Sequence, residues 1–256
     1  MSINIGQTFS ESANRMLSAT GLVSVVALLV YALGSGVVWA ELVAQALRYG
    51  LQEAGYSYET AQRVALEEGG PAAAQQLEQF AEPPLGVGLA GAVALLLLLP
   101  FISELLYVVA IRAFAATEGR GAGFPTDAIT GGLGIAFLRT VVADIVVWLS
   151  VAIGMVLIIP GLVLMVVFLF VRQAIVLDGH GVLGSFSTSY GLVRENVAAA
   201  VVVWFVGLLL TFGLLFVGGF IPIPYLPTIG FAVVSMYVVS LTTVAYQQGI
   251  GPGSTA

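Results

Sequence analysis

The chain has no lysine, no cysteine and a single histidine, and charged residues make up only 9% of its 256 positions. Each absence excludes something. Without cysteine there is no disulfide, no thiolate nucleophile and no cysteine-ligated metal. One histidine, His180, cannot assemble a zinc site, which takes several ligands. Soluble domains carry about a quarter charged residues, whereas here apolar residues reach 59% and mean hydropathy is +1.04. So few charges cannot keep that much hydrocarbon in water, which makes the lipid bilayer the expected solvent and first partner. Scattered arginines form no basic patch, which argues against nucleic acid.

The eight basic residues are all arginine and stand against fourteen acids, for a net charge of −6. An acidic, lysine-free chain rich in alanine and valine fits a high-salt cytoplasm, where screening tolerates excess carboxylate. A halophilic archaeal source is therefore expected, with GC-rich coding bias as the other origin of such a composition. The first twenty residues hold one arginine and one glutamate, a poor basic leader. The apolar run 21–40 is also longer than the core of a signal peptide. Val38–Ala40 still resembles a small-residue cleavage site, so removal of residues 1–40 stays open.

A span needs about 20 apolar residues. Six runs qualify, near 21–40, 85–111, 138–159, 161–177, 197–219 and 228–246. Pro160 and Gly161 separate the third from the fourth; the missing N–H and the permissive glycine predict a hairpin tip. One helix over 138–177 would be about 60 Å long, twice the hydrocarbon thickness. The stretch Pro222–Pro227 reads as the equivalent tip between the last two spans. The expected fold is all-α: a polytopic transmembrane helix bundle, six spans in three hairpins with short interfacial helices. Its parts are an N-terminal interfacial helix (1–20), a first span pair (21–113) enclosing an extracytoplasmic loop (41–84), and a second pair (114–177). An interfacial helix, the third pair and a tail fill 178–256.

Arginine placement sets the expected orientation. With the N-terminus inside, Arg15, Arg112, Arg120, Arg139, Arg172 and Arg194 are cytoplasmic, and only Arg48 and Arg63 are outside. A multi-pass protein of the cell membrane with both termini in the cytoplasm follows. The 41–84 loop carries Glu41, Glu53, Glu59, Glu67, Glu68, Glu78 and Glu82. Leu42, Ala46 and Tyr49 fall at helical spacing, and Ser57 with Thr60 and Gln62 looks like a capping signal. Two short helices forming an acidic external cap are expected, either simply solvated or offering a docking surface to a protein partner.

Three polar connectors, Phe9–Leu17, Thr126–Arg139 and Val182–Val193, each precede a pair of spans. In the third, Val182, Phe186, Tyr190 and Val193 share a face that Ser185, Ser189 and Arg194 leave. The first groups Phe9, Ala13, Met16 and Leu17 likewise. Both read as helices lying in the cytoplasmic interface with the apolar side in lipid and the hydroxyls wet. Ser10, Ser12 and Leu17 match Ser185, Ser187 and Leu192 in spacing, a weak sign of a repeated unit. The hydroxyl-rich stretch around His180 carries no catalytic pattern: glycines flank the histidine and no G-x-S-x-G elbow surrounds a serine. Asp178-Gly-His-Gly reads as a turn, and Asn196 as the cap of the fifth span.

The run Phe168–Asn196 resembles the signature of a haloarchaeal family of six-span membrane proteins with no established activity. That family is in turn similar to the membrane domain fused to some bacterial glycerophosphodiester phosphodiesterases. The resemblance is carried by Phe170, Arg172, Gln173, Ile175, Asp178, Ser189, Leu192 and Asn196 and by the preceding Pro-Gly tip. It covers about 157–200 well, and departs at Tyr190, where tryptophan is usual, and at Glu195, where glycine is usual. It implies the architecture and supplies no phosphodiesterase, since no separate soluble catalytic domain is present.

Charges inside a membrane are costly and mark candidate sites. Counted from the external helix ends at ~1.5 Å per residue, Glu104 lies about 28 Å in, Asp144 about 24 Å and Arg172 about 18 Å. An Asp144–Arg172 pair is predicted across the third and fourth spans, with Glu104 and Arg139 near the same level. These four form the candidate cluster. It serves either as a neutralised register lock or as a proton or cation relay, and Pro100, one turn before Glu104, would loosen the second span. No catalytic residue, metal or cofactor is implied. The expected function is a non-enzymatic membrane scaffold or accessory subunit, with a small permease-like transporter as the alternative.

Overall fold

The computed structural model describes residues 2–81, 83–117, 125–220 and 225–250. Over these residues the chain forms eleven helices and no strand. They are α1 (Ile5–Met16), α2 (Ala19–Glu53), α3 (Tyr58–Ala81), α4 (Gly88–Ala116), α5 (Thr126–Thr130) and α6 (Leu133–Met155), followed by α7 (Ile159–Val167), α8 (Val171–Asp178), α9 (Val182–Glu195), α10 (Val197–Phe220) and α11 (Leu226–Ile250). Six stretches are long and apolar enough to cross a membrane: α2, α4, α6, α7 together with α8, α10 and α11. The all-α polytopic architecture expected from the hydropathy pattern is the one found. Part of the Pro222–Pro227 tip lies outside the described residues, as do Glu82, Arg120 and residues 251–256.

The chain divides into two compact units, Met1–Leu29 with Ser103–Ala256, and Val30–Ile102. In the second unit, the separate short helix expected after Glu41 does not exist. Nothing near Ala40 breaks the helix, so α2 runs on for 35 residues, about 52 Å at ~1.5 Å per residue. It ends in a Schellman turn: Gly55 takes φ +77°, Tyr56 N–H donates to the Leu51 carbonyl (2.8 Å) and Gly55 N–H to Gln52 (3.0 Å). Ser57 then caps α3, its hydroxyl accepting from Thr60 N–H at 3.1 Å, as the sequence signal anticipated. Within α3 the helix breaks at Gly70 (φ +75°, ψ −175°), a conformation open to glycine, and resumes at Pro71.

Glu41 is not one of the solvated acids. It is buried, and its carboxylate accepts N–H bonds from Leu85 (2.7 Å), Gly86 (3.1 Å) and Val87 (3.1 Å), and another from Gln45 Nε2 (3.0 Å). The three backbone donors immediately precede α4, where a negative charge meets the positive end of the helix dipole. The charge counted as part of an acidic surface therefore anchors the start of the next span.

In the first unit α11 is the innermost helix, buried from Val239 through Tyr246. Phe170, Ala174, Leu192, Ala200, Val203, Leu241 and Tyr246 pack together as its core. Lipid tails are as apolar as leucine, so burial alone gives these helices little reason to associate; close approach of small residues and polar bonds must do so. Ala143, Ala174, Ala199, Ala200, Ala232 and Ala245 supply the small contacts. The hairpin tip between α6 and α7 shows how close the approach is. A Cβ on Gly154 would lie 2.9 Å from the Gly161 backbone. The reversal falls at Val156–Ile158, slightly before Pro160, with Ile158 at φ +58° and the proline in the first turn of α7, where no N–H is needed. Trp148, Ile153, Val156, Phe205 and Phe212 stay exposed, a surface suited to acyl chains and not to water.

In the two connector helices the hydroxyls expected on a wet face are buried instead. In α9, Ser185 and Ser189 are fully buried while Leu183 and Tyr190 are exposed. In α1, Thr8, Ser12 and Arg15 are buried and Leu17 is exposed. The hydroxyl faces turn inward because the protein interior offers them backbone carbonyls, which lipid does not. Ser240 of α11 donates to the Ser12 carbonyl (3.2 Å), and Gln248 accepts from Asn4 N–H (3.1 Å) and Thr8 Oγ1 (2.9 Å). Asn196 starts α10 through its backbone carbonyl, which accepts from Ala200 N–H. Its side chain does not cap that helix: Nδ2 donates to the Leu192 carbonyl and Oδ1 accepts from Ile3 N–H at 3.0 Å.

Candidate functional site

The fourth span is two helices, not one. Between α7 and α8 the backbone tightens, with Leu169 N–H donating to Val166 and Val171 N–H to Phe168, both at 3.2 Å. These i→i+3 bonds leave the regular ladder open at Val167 and Phe170. Ser189 of α9 fills the gap. Its hydroxyl donates to the Val167 carbonyl (2.6 Å) and accepts from Phe170 N–H (3.1 Å), so one side chain satisfies both orphans. No proline or glycine marks the break in Phe168-Leu-Phe, which is why periodicity reads through it.

Arg172 sits in the first turn of α8, immediately after the break. Its Nε donates to Asp144 Oδ1 of α6 (3.0 Å) and Nη2 to Oδ2, a fork-on-fork pair. Nη2 also lies 2.8 Å from Glu104 Oε2 of α4. The guanidinium is stacked 5.1 Å from the centre of the Tyr107 ring, one helical turn beyond Glu104. Three of the four residues named from sequence thus converge, with one cation facing two acids. Glu104 Oε1 is buried with no hydrogen-bond partner among the described residues, and the Thr140 hydroxyl beside the cluster donates to the Phe137 carbonyl (2.9 Å).

Arg139 is the exception. Five residues before Asp144 on α6, it points to a different side of the helix and donates from Nη1 to the Gly179 carbonyl (2.6 Å) at the end of α8. A cation at a helix C-terminus meets the negative end of the dipole, which accounts for the placement. Arg112 does the same for α5, donating to Ile129 (2.8 Å) and Gly131 (2.5 Å).

A cavity of about 260 Å³ lies beside the ion cluster, lined by Tyr107, Arg172, Gln173, Thr211, Ser235 and Thr242 along with apolar side chains. Gln173 Nε2 donates to Thr242 Oγ1 (2.8 Å), whose own proton goes to the Val238 carbonyl (2.9 Å). Sequence reading missed Tyr107, whose signal was its one-turn spacing from Glu104. Gln173 and Ser189 entered it as residues that carry the family resemblance, without a role at the cluster, and Ser189 was assigned to the wrong face. At the other end of α8, Gly179 (φ +67°) turns the chain as expected, Tyr246 donates to Asp178 Oδ2 (2.5 Å) and half-exposed His180 lies 3.9 Å from the same oxygen. Among the described residues no cluster of histidine, aspartate and glutamate is placed to hold a metal ion.

Six stretches of helix long and apolar enough to cross a membrane define the class: a polytopic α-helical membrane protein. The family model described as a domain of unknown function, DUF7847, matches residues 3–250, and the chain belongs to that family. Neither a curated protein nor a solved structure matches it.

Proposed function

We propose that the chain is a small, non-enzymatic, permease-like protein whose Glu104–Arg172–Asp144 cluster is its working site. The observation that carries this reading is the break in the fourth span, which sets Arg172 between two carboxylates and against a cavity of mixed polar and apolar lining. Irregular backbone at membrane depth is tolerated where it lines a cavity, and discontinuous helices beside charges are a recurring way to build a solute site. A mere register lock needs one acid for one arginine. Here there are two, and one carboxylate oxygen is left without a donor. Reconstitution into vesicles tests it: Asp144→Asn should abolish proton-coupled solute entry, and flux equal to the parent would end the permease reading.

Within the same proposal the protein resides in the cell membrane of a halophilic archaeon with both termini cytoplasmic, supported by arginine placement and the absence of lysine. The likeness to membrane domains fused to phosphodiesterases is consistent with a site that serves a separate enzyme. A second reading, a scaffold or accessory subunit, is favoured by the acids on α3, where Glu59, Glu67, Glu68 and Glu78 face Arg63 alone on that helix. Co-purification of a partner that depends on these four glutamates, with no flux by the isolated protein, would select it.

A further inference from the structure

The guanidinium of Arg172 is only partly used, and the unused part has a definite geometry. Its Nε–Nη2 edge is occupied by the Asp144 fork, and Nη2 also lies 2.8 Å from Glu104 Oε2. Nη1, with two N–H donors, hydrogen-bonds to no described residue, and 35% of the side chain is exposed where Arg172 lines the cavity. A planar guanidinium has one remaining edge, Nη1–Nη2, and that edge is half-held by Glu104.

We propose that the cavity binds a small, singly charged carboxylate, which takes the Nη1–Nη2 edge of Arg172 while Glu104 takes up a proton. The assignment rests on the permease-like reading and names its substrate class. Geometry supplies the fork: a carboxylate is the planar acceptor pair that matches the open edge. Size supplies the limit: about 260 Å³ admits a solute of a few heavy atoms with a little water. Charge supplies the coupling. Among the described residues Arg172 is the one cation facing Glu104 and Asp144 on α6 the one other acid, with the Thr140 hydroxyl, also on α6, and Tyr107 on α4 beside them. A third carboxylate on one arginine leaves uncompensated negative charge in a medium that cannot solvate it. Protonating Glu104, whose Oε1 already lacks a donor, restores the balance of one anion pair per cation with Asp144 and the ligand. The proton comes from bulk water and stays on the Glu104 carboxyl while the ligand is bound. Ser235, which also lines the cavity, adds a hydroxyl to its wall.

Sodium acetate is the probe, titrated calorimetrically into the full-length protein in lipid nanodiscs between pH 6 and pH 9. Saturable binding is expected, tightening as pH falls toward about tenfold per pH unit where the empty site holds Glu104 ionised. Glu104→Gln should bind with an affinity independent of pH. Ser235→Leu, which puts a larger apolar side chain on the cavity wall and leaves every residue of the ion cluster in place, should weaken binding about tenfold or more while helicity and thermal unfolding stay at the parent's values. Absence of saturable binding, the parent's pH dependence surviving in Glu104→Gln, or undiminished binding in Ser235→Leu would each overturn the proposal. Binding of acetate without any vesicle flux removes the permease reading and leaves this site standing. Proton-coupled flux without acetate binding does the reverse.

Discussion

Two buried glutamates, one in each compact unit, have opposite fates. Glu41 is surrounded by donors: three backbone N–H groups at the start of α4 and the Gln45 amide satisfy both oxygens. Glu104 has Arg172 on one oxygen and, among the described residues, no hydrogen-bond donor on the other. The first arrangement has no reason to change state, because every lone pair that burial stripped of water has been given a donor. The second is under-determined, and a proton or a change of partner would complete it. Burial of an acid in a membrane protein is thus not itself a functional signal; incomplete satisfaction is.

The largest effect should come from removing the cation that both cluster acids share. Arg172→Met leaves buried Glu104 and half-buried Asp144 without a counter-charge among the described residues, and breaking a buried pair by deleting one partner costs about 3–5 kcal/mol. Reversible unfolding in mixed micelles should show that loss. A shift below about 1 kcal/mol would mean that the acids are already neutral or reach water by another route.

Next should be Glu41→Gln. An amide offers one oxygen where the carboxylate used two, so at least one N–H before α4 loses its acceptor, a cost of about 1–3 kcal/mol. Amide exchange at Leu85–Val87 should accelerate along with the loss of stability. Exchange unchanged at those three residues would show that the loop holds itself in place without the carboxylate.

Ser189→Ala should follow at about 1–2 kcal/mol, since it strips the Val167 carbonyl and the Phe170 N–H of their shared hydroxyl. Its consequence for the comparison is positional: Arg172 follows the splice by two residues, so α8 should loosen and the Asp144 fork with it. A proton spectrum showing Arg172 Nε–H still slowly exchanging in Ser189→Ala would separate the splice from the cluster.

How much of this was legible in the sequence depends on which property each residue expresses. Six spans, the α6–α7 reversal and the Asp144–Arg172 contact follow from hydropathy, a proline and a count of turns, all local. The face of α9 did not follow, because the same serines are wet in an interfacial helix and buried in a docked one; only the orphan backbone groups of Val167 and Phe170 decide between them. Those orphans were hidden too, since Phe168-Leu-Phe carries no breaker. Glu41 was misplaced for a related reason. Its role depends on the chain 44 residues later, where Leu85 brings its N–H to the carboxylate. Arg139 was expected at the level of the cluster, but its guanidinium reaches the Gly179 carbonyl at the C-terminal end of α8 while Arg172 sits in the first turn, a separation that counting residues along single spans does not reveal.

The smallest expected effect is also the one that discriminates most. Glu104→Gln removes a charge whose second oxygen has no donor, so stability should change by less than about 1 kcal/mol in either direction. The amide oxygen can keep the Arg172 contact, and Asp144 alone then neutralises the guanidinium. A membrane protein that tolerates this substitution in folding, and yet loses the pH dependence of ligand binding, has spent nothing structural on Glu104. If instead Glu104→Gln destabilised the fold as much as Glu41→Gln, the two glutamates would be the same kind of residue, the missing donor at Oε1 would carry no meaning, and the cluster would be a register lock with one acid to spare.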